Sequence, residues 1–591
     1  MLLPLPYDDS RRLTGTNLYF AGPGAVIETL PDPRIDKPLL ALWKERVEFA
    51  VAILDWPPSF TVARRQSGGT AFAISAPADQ LFVATEVNEW AFLHAYYGGE
   101  AGAVAGLFHA PAFPPIWDDD LALHTLRLAA AAERHLDLVL LIQQAHQRHL
   151  PVMIDDEDLS IGQGGGAKTW PIRQLPAIET LDWRALHAIP VALVAGSNGK
   201  TTTTRLVAAM CEAHGWRTAY SCSDGVFVAG HIVAAGDYSG PAGARAALRH
   251  PEAQAAVLET ARGGILRRGL ATERVQAAIV TNISADHFGE YGIRSVDELA
   301  DTKLVVARAV EAGGLFALNA DDALLSARDP TTAARIAWFA LDADNARLCA
   351  HRATGGATCG VRAGELILHI NAVGHRLGVV DNMPLTMHGN ALYNVANIAG
   401  ASLVASSMGV APATIAAVLA RFGAERKDNP GRLMRWSFDT TAVIVDYAHN
   451  PDGLHGLLTV ARATLANGRL ALMLGQAGNR ENADIERLAK TAAAFSPAFI
   501  VVKDIAVHMR DRSAGEVPAI LRDELLRQGI AAPAIAARTN EVEAAKAILA
   551  WARSGDVLVL PVHERKARAD ITALLDRLEA LRWRPGDALP G

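Results

Sequence analysis

Residues 190–215, PVALVAGSNGKTTTTRLVAAMCEAHG, restrict what this chain can fold into more than any other stretch. Residues 191–195 are an apolar run with the length of a buried parallel strand. GSNGK breaks the run at Gly196. From Thr201 the apolar positions Leu206, Val207, Met210 and Cys211 recur at helical spacing, and Gly215 is placed to cap the helix C-terminus. Strand, glycine turn and helix in that order make a phosphate cradle. Glycine lets the backbone approach an anion, and the first N–H groups of the helix then point at it, aided by the helix dipole. Gly196, Ser197, Asn198, Gly199, Lys200, Thr201 and Thr202 form this cradle. Lys200 is a point charge for the β- and γ-phosphates, and the Thr201 hydroxyl suits Mg²⁺. The match to G-x-x-x-x-G-K-[ST] is imperfect, because Val194 stands where the first glycine belongs.

Two further short apolar strands are expected, at residues 255–260 and 277–284. The first ends on Glu259, and the second is followed by Asp286 and His287. Lys200, Glu259 and His287 therefore each fall at the C-terminal end of a strand. In an open parallel sheet those ends converge on one crevice, where ligands bind. Lys303 follows on a helix, SVDELADTKLVVARAV, where chemistry alone favours a solvated lysine. A helix is expected across 389–409, with Asn394 and Asn397 on one face. The charged, Pro/Gly-bearing run 421–433 reads as a connector.

Beyond it the pattern is α/β again. Strands are expected at 442–446, 470–474, 499–503 and 557–560, with helices between them. VDYAHNPDGL puts Asp446 and His449 at the end of the first strand, and a glycine turn follows the second. A Rossmann-like domain that closes over the cradle is the natural architecture.

Residues 1–148 carry no sharp chemistry. They contain strand and turn near the start and a long amphipathic helix or helix pair over 121–149, whose His135, His146 and His149 lack ligand spacing. At 162–169, GQGGGAKT imitates a phosphate loop, with Ala167 in place of the second glycine. No apolar strand leads into it, and Trp170-Pro171 blocks a helix, so a flexible loop is expected.

Length points to three or four domains. A hydrophobic fraction of 50% with 20% charged residues suits globular cores. The net charge of −7 and the lack of a basic run give no sign of nucleic acid or a membrane surface. The four cysteines, at 211, 222, 349 and 359, have no C-x-x-C spacing, so neither zinc nor a disulfide framework is indicated. No signal peptide and no run of 18 apolar residues is found. A reducing, ATP-supplied cytoplasmic setting fits.

From about residue 189 onward the chain resembles the Mur ligase family, in the form found in cyanophycin synthetases. The segments that carry the resemblance include AGSNGKTTTTRL, SDGVFVAG, AVLETARGGILRRGL, NISADHFGEYG, NALYNVANIAGA, NPGRL, VDYAHNPDGL and RENADIERLA. The resemblance implies a multidomain α/β fold. Residues 1–180 would form an α+β N-terminal domain, 181–428 a central ATP-binding parallel-sheet domain and 429–591 a C-terminal Rossmann-like domain.

It also implies an ADP-forming, ATP-dependent acid–amino-acid ligase that uses ATP and Mg²⁺. Lys200 and Thr201 match the phosphate and Mg²⁺ residues. Glu259 and His287 match metal ligands, and Lys303 matches a lysine that is carbamylated in several Mur ligases. Asn394 and Asn397 match an adenine-contacting segment. Arg432 and Asp446 match nucleotide contacts. His449, Asn450 and Arg480 lie toward the incoming amine.

The implied partners are a carboxylate acceptor, an amino acid or other amine, and further copies of the chain in a dimer or tetramer. VMIDDEDLSIGQGGGAKTWPI resembles the opening of an ATP-grasp domain, yet the phosphate cradle follows about 18 residues later, which leaves no room for that domain. A separate ATP-grasp ligase in the same pathway would then be expected. A catalytically inactive Mur-like partner subunit, or a P-loop kinase or NTPase, stands as an alternative reading.

Overall fold

The computed structural model describes residues 5–97, 119–285, 288–328, 332–465, 467–510 and 512–590. The cradle strand, Val191–Ala195, lies near the middle of an 11-stranded sheet. All five of its residues are buried, as expected of a parallel strand covered on both faces. Its neighbours are Ala255–Glu259 and Val275–Val280, both parallel to it. Parallel pairing continues outward through Thr218–Cys222 on one side, and through Val310–Asn319, Arg335–Asp342 and Ala357–Arg362 on the other. Antiparallel hairpins finish both edges.

Helices Lys200–His214 and Leu392–Ser407 cover one face and bury Leu206, Val207, Met210, Ile398 and Leu403 against the sheet. Helices Pro241–Leu248, Arg262–Arg268 and Val296–Leu304 contribute to the opposite core, which also takes Leu13 and Leu18 from the N-terminal segment.

The expected strand over 277–284 runs instead from Val275 to Val280. Residues 281–284 leave the ladder because their polar groups bond to the phosphate loop. Ser197 N–H donates to Asn282 O at 2.9 Å, and Asn198 N–H donates to Asn282 Oδ1 at 2.9 Å.

The N-terminal part is an antiparallel four-stranded sheet in the order Asp9–Leu13, Gly24–Glu28, Gly69–Ser75 and Thr61–Gln66. Helices Lys37–Ile53 and Leu81–Tyr97 pack with it around Trp43, Phe72 and Phe92. The long helical stretch is a pair, Asp119–Glu133 and Leu136–Gln147. His135 Nδ1 accepts from Leu138 N–H at the start of the second helix, and His146 pairs with Glu273 at 2.6 Å.

The imitation phosphate loop is ordered, contrary to expectation. Gly164–Gly166 is a 3₁₀ turn, and Lys168–Pro171 joins Val152–Ile154 and Asp158–Ile161 in a small antiparallel sheet. Its glycines serve close packing. Gly164 has φ +56°, and a Cβ there would lie 2.2 Å from Ala253 O.

The C-terminal part is a six-stranded sheet in the order Met434–Phe438, Thr441–Asp446, Val557–Pro561, Leu470–Leu474, Phe499–Lys503 and Ile535–Arg538. All pairs are parallel except the first. The expected strands are present. The two outer ones, Met434–Phe438 and Ile535–Arg538, are additional. Among the described residues, no helix is long and apolar enough to cross a membrane.

Candidate functional site

The cradle begins where the strand ends. Gly196 has φ +142°, and a Cβ there would lie 1.9 Å from Thr281 Oγ1. Thr281 Oγ1 itself donates to Asn198 O at 2.6 Å. The loop is tied down further by Ser197 and Ser284, whose side chain and backbone exchange bonds at 3.1 and 2.9 Å. Gly199 starts the helix with φ +83°. The side chain of Lys200 folds back over the loop and donates to Ser197 O at 2.9 Å.

One turn of backbone carries the chemistry across to the next strand. Thr201 Oγ1 donates to Glu259 Oε2 at 2.8 Å. Burial pushes the Glu259 carboxyl up, against the opposing pull of Lys200, the Thr201 hydroxyl and Arg432. A hydroxyl and a buried carboxylate beside a phosphate loop are hard oxygen donors of the type Mg²⁺ takes.

Lys303 is buried rather than solvated, and its Nζ donates to Gly196 O at 2.7 Å. It is thus on the site side of its helix. Asp286 and His287 lie outside the described residues. Among the described residues, no three of His, Cys, Asp and Glu group as metal ligands.

Asn394 and Asn397 share a helix face, joined by a 3.2 Å bond from Asn397 Nδ2 to Asn394 Oδ1. Asn397 also fills the space beside Gly199, 2.2 Å from where a Cβ would stand. Asn394 donates to Leu385 O at 3.0 Å. A cavity of about 500 Å³ lies along the connector, between the 384–387 turn that Asn394 bonds and the strand Met434–Phe438. Leu385, Met387, Asn429, Arg432, Met434 and Ser437 are among its walls.

Arg432 reaches from this connector to the cradle. It donates to Ser223 Oγ at 3.2 Å and Thr201 Oγ1 at 3.4 Å, and its guanidinium lies 4.2 Å from the centre of the Tyr447 ring. Asp446 accepts from Leu433 N–H at 2.7 Å and Ala448 N–H at 2.8 Å. Asn450 caps the helix Pro451–Thr464, accepting from Gly453 N–H at 2.8 Å, and donates to Asn198 Oδ1 at 2.9 Å. The second sheet thus touches the phosphate loop directly. Beside Asn450, the His449 carbonyl accepts from Gln476 Nε2 at 2.9 Å. Arg480 is buried in the turn after Leu470–Leu474.

The residues that clamp the two parts together were not read from the sequence. Asp224 receives Arg205 of the cradle helix at 2.6 Å and also Arg568 of the C-terminal helix Arg565–Ala580. SDGVFVAG holds this aspartate, but an arginine more than 300 positions downstream leaves no local signal. Burial opposes ionisation of Asp224, yet Arg432, Arg205 and Arg568 together outweigh it and hold the carboxyl down to about 2.

A depressed carboxyl pKa gives stability that is present above the ordinary value near 3.8 and is lost as pH falls toward 2. The shift corresponds to about 2 kcal/mol. Asp224→Asn should therefore destabilise the protein at pH 6, and the gap to wild type should narrow as pH falls below 4. Chemical denaturation of both proteins across that range measures it. A gap that is constant with pH would contradict the assignment.

Residues 194–405 match the Mur ligase middle domain, and residues 431–561 match the Mur ligase glutamate ligase domain. Together these span more than half of the chain, which belongs to the Mur ligase family. Within it, the chain is similar to the cyanophycin synthetase of Nostoc sp., at 36% identity over 342 residues, covering 58% of this chain and 37% of that one. It is also similar to the cyanophycin synthetase of Synechocystis sp., at 32% identity, covering 64% and 43%. The chain therefore spans less than half the length of the cyanophycin synthetases it matches. The UDP-N-acetylmuramoyl-L-alanyl-D-glutamate–2,6-diaminopimelate ligase of Chlorobaculum tepidum is 28% identical, covering 64% of this chain and 72% of its own. Among solved structures, E. coli FolC in complex with ADP aligns over 66% of this chain and 90% of its own, with 17% identity and a TM-score of 0.47.

Proposed function

We propose that the protein is an ADP-forming, ATP-dependent ligase that joins an amine, such as an amino acid, to a carboxylate. The observation that carries this reading is the meeting of two sheets at one phosphate loop. Thr201 and Glu259 face each other there from the central sheet, and Asn450 arrives from the C-terminal sheet. A kinase or simple NTPase needs the first half of that arrangement alone.

In the proposed reaction, a carboxylate oxygen of the acceptor attacks the γ-phosphorus, ADP leaves and an acyl phosphate forms. The amine nitrogen then attacks the acyl carbon, the tetrahedral intermediate expels phosphate, and the amine's proton is lost to solvent or a nearby base. Little covalent work falls to the protein. It positions the reactants, neutralises charge and excludes the water that would hydrolyse the acyl phosphate.

Lys200 and the first turn of its helix hold the β- and γ-phosphates. Asn394, Asn397, Arg432 and Asp446 border the nucleoside, in or beside the connector cavity. Thr201, Glu259, His287 and a carbamylated Lys303 would hold Mg²⁺. The ion supplies charge neutralisation on the transferring phosphoryl group. His449, Asn450 and Arg480 face the amine.

The similarity to cyanophycin synthetases supports an acidic side chain as acceptor and arginine as amine. We further place a single active centre in residues 181–591, with residues 1–180 as an accessory domain. A separate ATP-grasp ligase would supply the acceptor, and the working form would be a cytoplasmic homo-oligomer.

The test is phosphate release from ATP and Mg²⁺ with a panel of amino acids and short acidic peptides. Release is expected to require both an acceptor and an amine, with one amide in the product by mass spectrometry. With aspartate and arginine alone, no ladder of aspartate–arginine units is expected, and a ladder would reveal a second centre. ATP turnover that ignores the amine would favour an NTPase. ATP binding without ADP release would favour an inactive subunit.

A further inference from the structure

The buried lysine at the end of a C-terminal strand has no part in the reaction outlined above. Lys503 is the last residue of Phe499–Lys503 and is 0% exposed. Burying an ammonium group is expensive unless it is paired, and a buried ion pair is seldom worth more than apolar residues of the same volume. Stability alone therefore does not account for it.

Its ammonium group meets Glu541 at the start of helix Glu541–Trp551, and lies 2.9 Å from His563 Nδ1. Glu541 is itself held by the backbone N–H groups of His563 at 2.9 Å and Glu564 at 2.8 Å. On its far side, His563 Nε2 lies 3.1 Å from Ala448 O.

These partners dictate the tautomer of His563. A carbonyl oxygen only accepts, so Nε2 carries the proton and donates it to Ala448. Nδ1 lies 2.9 Å from Lys503 Nζ and 3.2 Å from Glu541 Oε1. In the neutral ring with its proton on Nε2, Nδ1 presents its lone pair to the Lys503 ammonium. The Glu541 carboxylate takes its hydrogen bonds from Lys503 and the two backbone N–H groups. Burial and the nearby lysine outweigh the opposing pull of Glu541 and push His563 down to about 4, in keeping with a neutral ring. A second support rests on the same lysine. A Cβ on Gly475 would lie 2.7 Å from Lys503 Cδ and Cε, so the Gly475 backbone sits directly on the lysine stem. The next residue, Gln476, donates to His449 O. Two consecutive carbonyls are thus tied to Lys503: that of Ala448 through the His563 ring, and that of His449 through Gln476, the residue after the glycine packed on the lysine stem. The residue after them is Asn450, which bonds to the phosphate loop.

We propose that Lys503 is a positioning residue: through His563 and the Gly475–Gln476 turn it fixes the Tyr447–Asn450 segment at the height where Asn450 meets Asn198. Its effect on turnover rests on the ligase reading. Its effect on the segment's position does not.

The first measurement is therefore amide hydrogen exchange of the wild-type chain, His563→Leu and Lys503→Met. Both variants should speed exchange at residues 447–450 at least tenfold while leaving the strand Val557–Pro561 protected. His563→Gln, whose amide can still donate to Ala448 O, should restore most of the protection. Uniform loss of protection across the C-terminal sheet in His563→Leu, or no rescue by glutamine, would overturn the proposal.

The second measurement is ATP turnover in a double-mutant cycle with Asn450→Ala. If His563 acts through Asn450, the leucine variant loses at least tenfold in kcat alone and much less in the Asn450→Ala background. Equal losses in both backgrounds would overturn it. If Lys503→Met does not fold, the His563→Leu and His563→Gln pair decides the outcome. A wild-type protein without ATP turnover would defeat the ligase reading and leave the exchange result to stand or fall by itself.

Discussion

Lys200→Ala should abolish ATP turnover and leave the fold intact. The side chain leaves the first turn of the cradle helix and bonds only to the loop beneath it, at Ser197 O among the described contacts. Its removal opens no core cavity, so the melting temperature should stay within a few degrees of wild type. On the proposed ligase reading, what is lost is a positive charge held over the phosphates, where negative charge shifts as the γ-phosphoryl group moves. Groups of this kind are worth about 10²- to 10³-fold in kcat. Lys200→Arg should fail as well, because a planar fork does not replace a compact ammonium in a space shaped for it. Steady-state phosphate release with acceptor and amine present, alongside calorimetry, measures both effects. An alanine variant that keeps more than about a tenth of the wild-type rate would remove Lys200 from the site.

Gly199→Ala should be harmful in a different way, by stability first and activity second. Gly199 begins the cradle helix with φ +83°, a conformation that costs an L-residue about 1 kcal/mol or more. The added methyl would also stand 2.2 Å from Asn397 Oδ1, and Asn397 is buried and bonded to Asn394. Overpacking of that kind adds about 1–3 kcal/mol. The asparagine cannot swing away without breaking its bond to Asn394. The expected result is a loss of about 2–4 kcal/mol in denaturant unfolding, together with at least tenfold weaker nucleotide binding by titration calorimetry. Wild-type stability with wild-type affinity would show that the loop is softer than its hydrogen bonds imply.

The cradle was legible because its constraints are local. A buried strand needs consecutive apolar residues, a turn that approaches an anion needs glycine, and a helix shows its period within three turns. Val191–Ala195 and the Gly215 cap follow from these rules, and both are found. Glu259 was placed correctly for the same reason, as the last residue of a short apolar strand.

Lys303 was harder. Its helix carries charge on several sides, and nothing within it marks which side meets the phosphate loop. Only packing against Gly196 does so. The triglycine turn misled in the opposite direction. Glycines that allow tight packing against Ala253 are the same letters as glycines that allow mobility. Arg568, Lys503 and His563 were invisible because their partners, Asp224, Glu541 and Ala448, lie tens to hundreds of residues away.

The carboxylate of Glu298 closes a circuit between distant parts of the chain. It completes the capping box that starts the Lys303 helix, and it also takes both the backbone N–H and the hydroxyl of Ser67, on the turn between two N-terminal strands. Gly68 N–H adds a bond to Gly292 O at 3.2 Å, and Arg64 holds Asp301 one turn further along the same helix. A nine-residue helix is stiff, so whatever sets the position of its first residue also sets the height of Lys303 at its other end. The N-terminal sheet is therefore part of the mounting of Lys303 against the glycine loop. Its hairpin works as a set-screw on the Lys303 helix, and trimming the chain back to the two matched ligase domains would remove that adjustment along with the sheet.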